Sequence, residues 1–337
     1  MNSLLTIPIL ASFFITLFLL PYWIRKAKQI GLVWDDMNKL KYEKVSGSGG
    51  IAVLVGFLMS VFIYLAYLSF IAKDISNIAS ILSIVLVIFL AASIGFLDDL
   101  FGWQQGGMSK RSRLLLLLFI SLPVVVLNAG KDVVSLPFLG TLNLGLWYPL
   151  VLVPIGIIGA TSTFNFLAGF NGLEAGQGIL ILSALSLVSY LTGTTWLAVL
   201  LLCMVFALIA FLVFNFYPTK VFPGDSLTYA VGAAIAVSAI LGNFEKIAIF
   251  LFIPYIIEVI LKSRGRLNKY SFGAPQKDGS LDLKYDKIYG LTHLSILILK
   301  KIGIKPTEKR AVYLIWLFQL AIIVLGFIIF REGIFIR

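Results

Sequence analysis

Sulfur and imidazole are almost missing from this chain. Cys203 is its only cysteine, which excludes an intrachain disulfide and a thiolate metal cage; its place inside an apolar run reads as packing. His293 is the only histidine and reads as a packed or solvated side chain rather than a catalytic one. Charge is scarce as well. Only 13% of the 337 residues are charged, while 60% are apolar; a soluble domain carries about a quarter charged residues. That balance excludes an ordinary soluble enzyme and describes a polytopic membrane protein. No internal repeat or low-complexity tract divides the sequence, so one membrane domain over residues 1–337 is the simplest architecture.

What the chain has in abundance is apolar runs. Ten candidate spans lie near 4–24, 50–71, 75–97, 114–129, 148–166, 174–192, 195–215, 225–242, 245–262 and 310–331, each roughly the length a transmembrane helix needs. The expected fold is therefore all-α. No basic segment precedes the first span, and Arg25, Lys26 and Lys28 follow it, the pattern of an uncleaved anchor. With its amino end outside, alternation of the loops puts 22 of the 27 Lys and Arg residues on the inner side, in keeping with the positive-inside bias. Both termini then lie outside. The net charge of +11 fits attraction to an anionic inner leaflet or to an anionic ligand; nucleic acid is not expected.

Two connections carry their own patterns. Residues 130–146 alternate loosely around Gly140, which suggests a short outer β-hairpin. In the inner loop 263–309, Ile288, Leu291, Leu294, Ile298 and Leu299 recur at helical spacing beside Lys284, Lys287, Lys300 and Lys301, the pattern of a helix on the inner membrane surface.

The polar residues that interrupt the apolar runs all fall at the inner ends of spans. Asp98 and Asp99 follow the third; Asn165, Asn171 and Glu174 lie between the fifth and sixth; Asp225 starts the eighth; Arg264 and Arg266 follow the ninth. Adjacent carboxylates repel, and in a partly dry place that cost is offset by a metal ion, a cationic substrate or shared protons. The run Asn165–Gly176 breaks a helix with glycines, which at membrane depth is tolerated where backbone lines a polar cavity; an Asn-Gly turn capping the next helix is the simpler alternative. Asp225 suits a helix cap as well as a metal. Together, Asp98, Asp99, Asn165 and Asp225 would make an all-oxygen site of the kind that suits Mg2+, or Mn2+ in its place. Arg264, Arg266, Arg111 and Arg113 offer forks for phosphate oxygens. Carboxylates, a divalent ion and arginines describe phosphoryl transfer. The rival class is a transporter or lipid flippase that uses the acidic residues for ion coupling, which would favour polar residues near the midplane.

Gly95-Phe-Leu-Asp-Asp, Asn165-Phe-Leu-Ala-Gly-Phe-Asn-Gly-Leu-Glu-Ala-Gly-Gln, Phe222-Pro-Gly-Asp225 and Arg264-Gly-Arg266 together resemble, over nearly the whole chain, the polyprenyl-phosphate N-acetylhexosamine-1-phosphate transferases. Asn-Gly-Leu-Glu-Ala-Gly-Gln resembles the dolichyl-phosphate GlcNAc-1-phosphate transferase branch and its archaeal relatives. The peptidoglycan branch carries an Asp-Gly-x-Asp-Gly version and a histidine-rich last loop, where this chain has Arg264-Gly-Arg266. The resemblance implies ten helices and a cytoplasmic active site open to the bilayer of a cell membrane. It implies transfer of a sugar-1-phosphate from a UDP-N-acetylhexosamine to a polyprenyl or dolichyl phosphate, with UMP released; a homodimer is common among such enzymes. By the same resemblance Asp225 and Asn165 hold Mg2+, and Asp98 and Asp99 lie at the acceptor phosphate. Gly169, Asn171 and Phe222 hold uridine, Arg266 and Arg264 bind pyrophosphate and sugar, and Glu43 lies near the nucleotide sugar. Arg113 stands where relatives place a lysine.

Overall fold

The computed structural model describes residues 3–41, 43–128, 130, 133–136 and 140–335. The chain begins with helix α1 (Thr6–Gln29). A two-stranded antiparallel pair, β1 (Val33–Asp35) and β2 (Lys44–Ser46), leads into α2 (Gly50–Ala66), which continues as a π-helical turn to Ala72. Helix α3 (Ile78–Gln105) is followed by the broken pair α4 (Lys110–Ile120) and α5 (Leu122–Val126). Strands β3 (Val133–Leu136) and β4 (Gly140–Asn143) pair antiparallel; the residues between them, 137–139, lie outside those described. Helices α6 (Val153–Phe164), α7 (Leu173–Leu191), α8 (Thr195–Asn215) and α9 (Gly224–Gly242) come next. The chain then runs through α10 (Glu245–Leu251), α11 (Ile253–Ser263), the short pair β5 (Ala274–Pro275) and β6 (Leu281–Asp282), α12 (Leu291–Lys301), α13 (Glu308–Ile329) and α14 (Arg331–Phe335).

Among the described residues seven helices are long and apolar enough to cross a membrane: α1, α2 with its π turn, α3, α7, α8, α9 and α13. The other three expected spans are shorter or divided. Tyr148–Phe164 is a shorter apolar helix. The stretches expected at 114–129 and 245–262 each split in two, with Pro123 and Pro254 in the first turn of the second piece. Proline has no N–H to donate and its ring crowds the preceding turn, so it ends a helix or starts one.

Helix α9 is the axis of the bundle. Every residue from Ser226 to Ile240 is buried, which is expected of a helix surrounded on all sides. Its sequence is rich in Gly, Ala and Ser, small residues that let backbones approach where lipid supplies no hydrophobic drive between helices. It packs most extensively against α3 and α6 and also touches α2, α7 and α8.

The segment expected to lie on the membrane surface forms α12, but it is not a free amphipathic helix. Leu291, Ile296 and Leu299 are buried, and it packs on α13 and α11. His293, 1% exposed, places Nε2 3.2 Å from the Phe272 carbonyl; burial pushes its pKa down. Cys203 is buried and free, and its carbonyl accepts the Ser12 hydroxyl at 2.6 Å. Both residues are packed.

Candidate active site

The end of the bundle that gathers the C-termini of α3 and α6 and the N-termini of α7 and α9 holds a cavity of about 740 Å3. Among the described residues six carboxylates line it, from Asp35, Asp36, Asp98, Asp99, Glu174 and Asp225, against two cations, Arg113 and Lys284. In a chain of net charge +11 this reverses the local sign. An excess of carboxylates over cations in a half-dry cavity favours a bound cation or shared protons.

Asp98 and Asp99 are adjacent in sequence but hold different partners. Asp98 is 4% exposed. Its Oδ1 accepts the Met108 N–H at 2.7 Å, and its Oδ2 lies 2.5 Å from Nη2 of Arg113 and 3.5 Å from the Tyr229 hydroxyl. Arg113 reaches it because α4 starts one short turn after α3, with the Ser109 hydroxyl accepting the Ser112 N–H at 3.1 Å. Asp99 instead accepts the backbone N–H of Asp225 at 2.8 Å and that of Ser226 at 3.4 Å. These are two of the orphan amides at the start of α9, so Asp99 caps that helix from another part of the chain. A β-carbon on Gly95 would lie 2.3 Å from the Asp225 carbonyl oxygen, and one on Gly224 would lie 2.2 Å from Asp99 Oδ2. Both positions must be glycine for α3 to approach α9 this closely, and Gly224 also sits at φ +71°.

Asp225 is held beside Asn165, whose Nδ2 donates to Asp225 Oδ1 at 3.1 Å. Asn165 ends α6. The chain then breaks through Gly169 (φ +109°) and Gly172 (φ +86°) before α7, and the Gly169 N–H donates to Glu174 at 3.0 Å. Phe222 is fixed by the glycine-rich entry to α2: its N–H donates to the Ser46 carbonyl at 2.7 Å and its carbonyl accepts the Gly49 N–H at 2.9 Å.

Asp98, Asp99, Arg113, Asn165, Gly169, Asn171, Phe222 and Asp225 thus line one cavity. Glu43, Arg264 and Arg266 do not. Glu43 is exposed in the β1–β2 connection, and both arginines are exposed just beyond α11, with no side-chain hydrogen bond or ion pair among the described residues. From the same loop, Tyr270, Phe272 and Lys284 line the cavity. Sequence reasoning also passed over Asp36, Asn38 and Glu308, which form a buried knot behind Asn171. Glu308 follows Thr307, a helix cap by its hydroxyl, and so reads as an ordinary first-turn acid.

The donor chemistry fits a hard divalent cation. Carboxylate and amide groups of Asp225 and Asn165 stand together, with further carboxylates around them. No cage of three His, Cys, Asp or Glu side chains forms among the described residues; the hard oxygen donors that stand together are those of Asp225 and Asn165.

An apolar helix bundle with a carboxylate-rich cavity at one end is the architecture of a multi-pass membrane protein with a polar site. Residues 81–243 match glycosyl transferase family 4, and the chain belongs to that family. A Saccharolobus solfataricus protein provisionally named UDP-N-acetylglucosamine–dolichyl-phosphate N-acetylglucosaminephosphotransferase is 36% identical over 312 residues, 92% of each chain. The Dictyostelium discoideum UDP-N-acetylglucosamine–dolichyl-phosphate N-acetylglucosaminephosphotransferase is 29% identical over 280 residues, 72% of this chain and 67% of its own. A Bacillus subtilis protein named as a probable undecaprenyl-phosphate N-acetylglucosaminyl 1-phosphate transferase is 26% identical over 311 residues, 89% of this chain and 82% of its own.

Proposed function

We propose that this protein transfers GlcNAc-1-phosphate from UDP-GlcNAc to a polyprenyl phosphate such as dolichyl phosphate, releasing UMP. The observation that carries this reading is the convergence of Asp98, Arg113, Asn165 and Asp225, from four separate stretches of chain, on one cavity at the end of an apolar bundle. An oxygen of the acceptor phosphate attacks the β-phosphorus of the nucleotide sugar; the new O–P bond forms as the bond to the α–β bridging oxygen breaks, and UMP leaves with that oxygen. The acceptor phosphate needs little deprotonation, since the second pKa of a phosphate monoester is about 6. Asp98, held by Arg113, orients the acceptor. Asp99 fixes the first turn of α9 and, through it, Asp225. Mg2+ held by Asp225 and Asn165 would offset charge on the diphosphate. Gly169, Asn171 and Phe222 hold uridine, and Arg264 and Arg266 close over the diphosphate and sugar from the neighbouring loop.

In this reading the broken and short helices complete a ten-span bundle, with both termini outside and the cavity facing the cytoplasm, where nucleotide sugars are found. Purified protein incubated with UDP-GlcNAc, Mg2+ and dolichyl phosphate is expected to release UMP and form a lipid-linked diphosphate sugar. Movement of the lipid across a vesicle membrane with no new chemical species would instead establish a transporter.

A further inference from the structure

Behind the cavity, residues from three distant segments form a buried polar knot. Asp36, Asn38, Asn171 and Glu308 are 3%, 6%, 4% and 4% exposed. Glu308 Oε1 accepts the Asn171 backbone N–H at 2.8 Å and Asn38 Nδ2 at 3.2 Å. Lys39 Nζ lies 3.2 Å from Glu308 Oε2 and 3.6 Å from Asp36 Oδ2. Asn38 in turn donates to the Gly169 carbonyl at 2.7 Å and accepts the Gly273 N–H at 3.1 Å.

The side chain of Asn171 is the functional end of this knot. Its Nδ2 donates to Asp36 Oδ2 at 3.0 Å and lies 3.5 Å from Glu308 Oε2. A carboxylate accepts and cannot donate, so two carboxylates on one side of an amide leave it a single orientation: nitrogen toward them, oxygen away. No donor among the described residues meets Asn171 Oδ1, and the residue lines the cavity. An amide free to turn would offer a ligand either a donor or an acceptor. This one offers an acceptor alone.

We infer that Asp36 and Glu308 are positioning residues for nucleobase choice, locking Asn171 as an obligate hydrogen-bond acceptor that selects a base carrying an N–H at ring position N3, uracil, over one carrying a lone pair at N3, cytosine. The inference rests on the reading that uridine sits against Asn171. Uracil N3–H donates to Oδ1. Cytosine N3 presents a lone pair to the same oxygen in that pose, and the locked amide cannot turn to supply the missing proton. Replacing either carboxylate by its amide removes the constraint, because a neighbouring carboxamide can donate and lets Asn171 turn.

The test is equilibrium binding of UMP, CMP and N3-methyl-UMP to the detergent-solubilised full chain, for the unaltered protein, Asp36→Asn and Glu308→Gln. The unaltered protein is expected to bind UMP about tenfold or more tighter than the other two, the equivalent of about 1.4 kcal/mol. Either substitution should bring the UMP to CMP ratio to within about threefold. Equal binding of UMP and N3-methyl-UMP by the unaltered protein overturns the inference while leaving the uridine site intact. Variants that lose all ligands in proportion, with the ratio preserved, also overturn it, since a merely structural role predicts that pattern. Failure of the unaltered protein to bind UMP at all refutes the uridine site and the inference with it.

Discussion

Asp99 accepts the backbone N–H of Asp225 at 2.8 Å across 126 positions of sequence. One carboxylate of the acidic pair is therefore spent on holding the helix that presents another carboxylate to the cavity. The division of labour between Asp98 and Asp99 follows from direction: Asp98 meets Arg113 and Tyr229, Asp99 meets amides.

Asp99→Ala leaves two amides of α9 without their acceptor and should destabilise the protein by about 1–3 kcal/mol. Asp99→Asn keeps an accepting oxygen and should lose less. Thermal unfolding in detergent compares the two, and equal losses would mean that Asp99 does not cap the helix.

Gly95→Ala puts a methyl group 2.3 Å from the Asp225 carbonyl oxygen, on backbone that cannot turn aside. Overpacking of this kind costs about 1–3 kcal/mol, and α3 must move away from α9 with both aspartates. A lower melting temperature together with reduced turnover is expected. An unchanged variant would show that the helices approach less closely.

Asp225→Ala should abolish divalent-cation-dependent turnover while the protein still inserts into membranes and unfolds cooperatively. Asp225→Asn should raise the Mg2+ concentration for half-maximal rate by about tenfold or more. Normal cation dependence in either variant contradicts the assigned ligand.

Arg266 is exposed and free of side-chain partners among the described residues, so Arg266→Ala is expected to leave the folding stability within about 0.5 kcal/mol of the parent and to raise KM for the nucleotide sugar. A normal KM would place the diphosphate elsewhere.

Lys39 gives a pH signature. Burial alone would lower its pKa, but the facing carboxylates of Glu308 and Asp36 outweigh it and hold the ammonium above the ordinary 10.5. A base raised on folding stabilises fully below its unfolded pKa and loses that contribution as pH rises through the folded value. Stability should therefore fall above about pH 10.5, and Lys39→Met should flatten that alkaline limb in denaturant titrations. An identical limb in both proteins would contradict the ion pair.

Much of this was legible in the chain itself. Apolar run length located the long helices, and the glycines of Asn165–Gly176 marked a break that the structure places at the cavity. Helix interruption was less legible: Pro123 and Pro254 lie in apolar runs long enough to read as single spans, yet each begins a new helical piece. In the site, residues beside a local signal were found, as with Asp98, Asn165 and Asp225. Asp36, Asn38 and Glu308 were not, because their meaning comes from a contact spanning about 270 positions, Asn38 to Glu308, and each alone resembles an ordinary loop or first-turn residue. The shift from acidic pair to helix cap was hidden for the same reason.

The central claim is attack on the β-phosphorus within this cavity, and UDP-GlcNAc labelled at that phosphorus tests it most directly. With Mg2+ and dolichyl phosphate, the label should move into the lipid fraction and the released UMP should be unlabelled, with Asp98→Ala and Asp225→Ala both losing the transfer. Label recovered in released UDP would mean that the sugar is transferred without its phosphate, and would contradict the account.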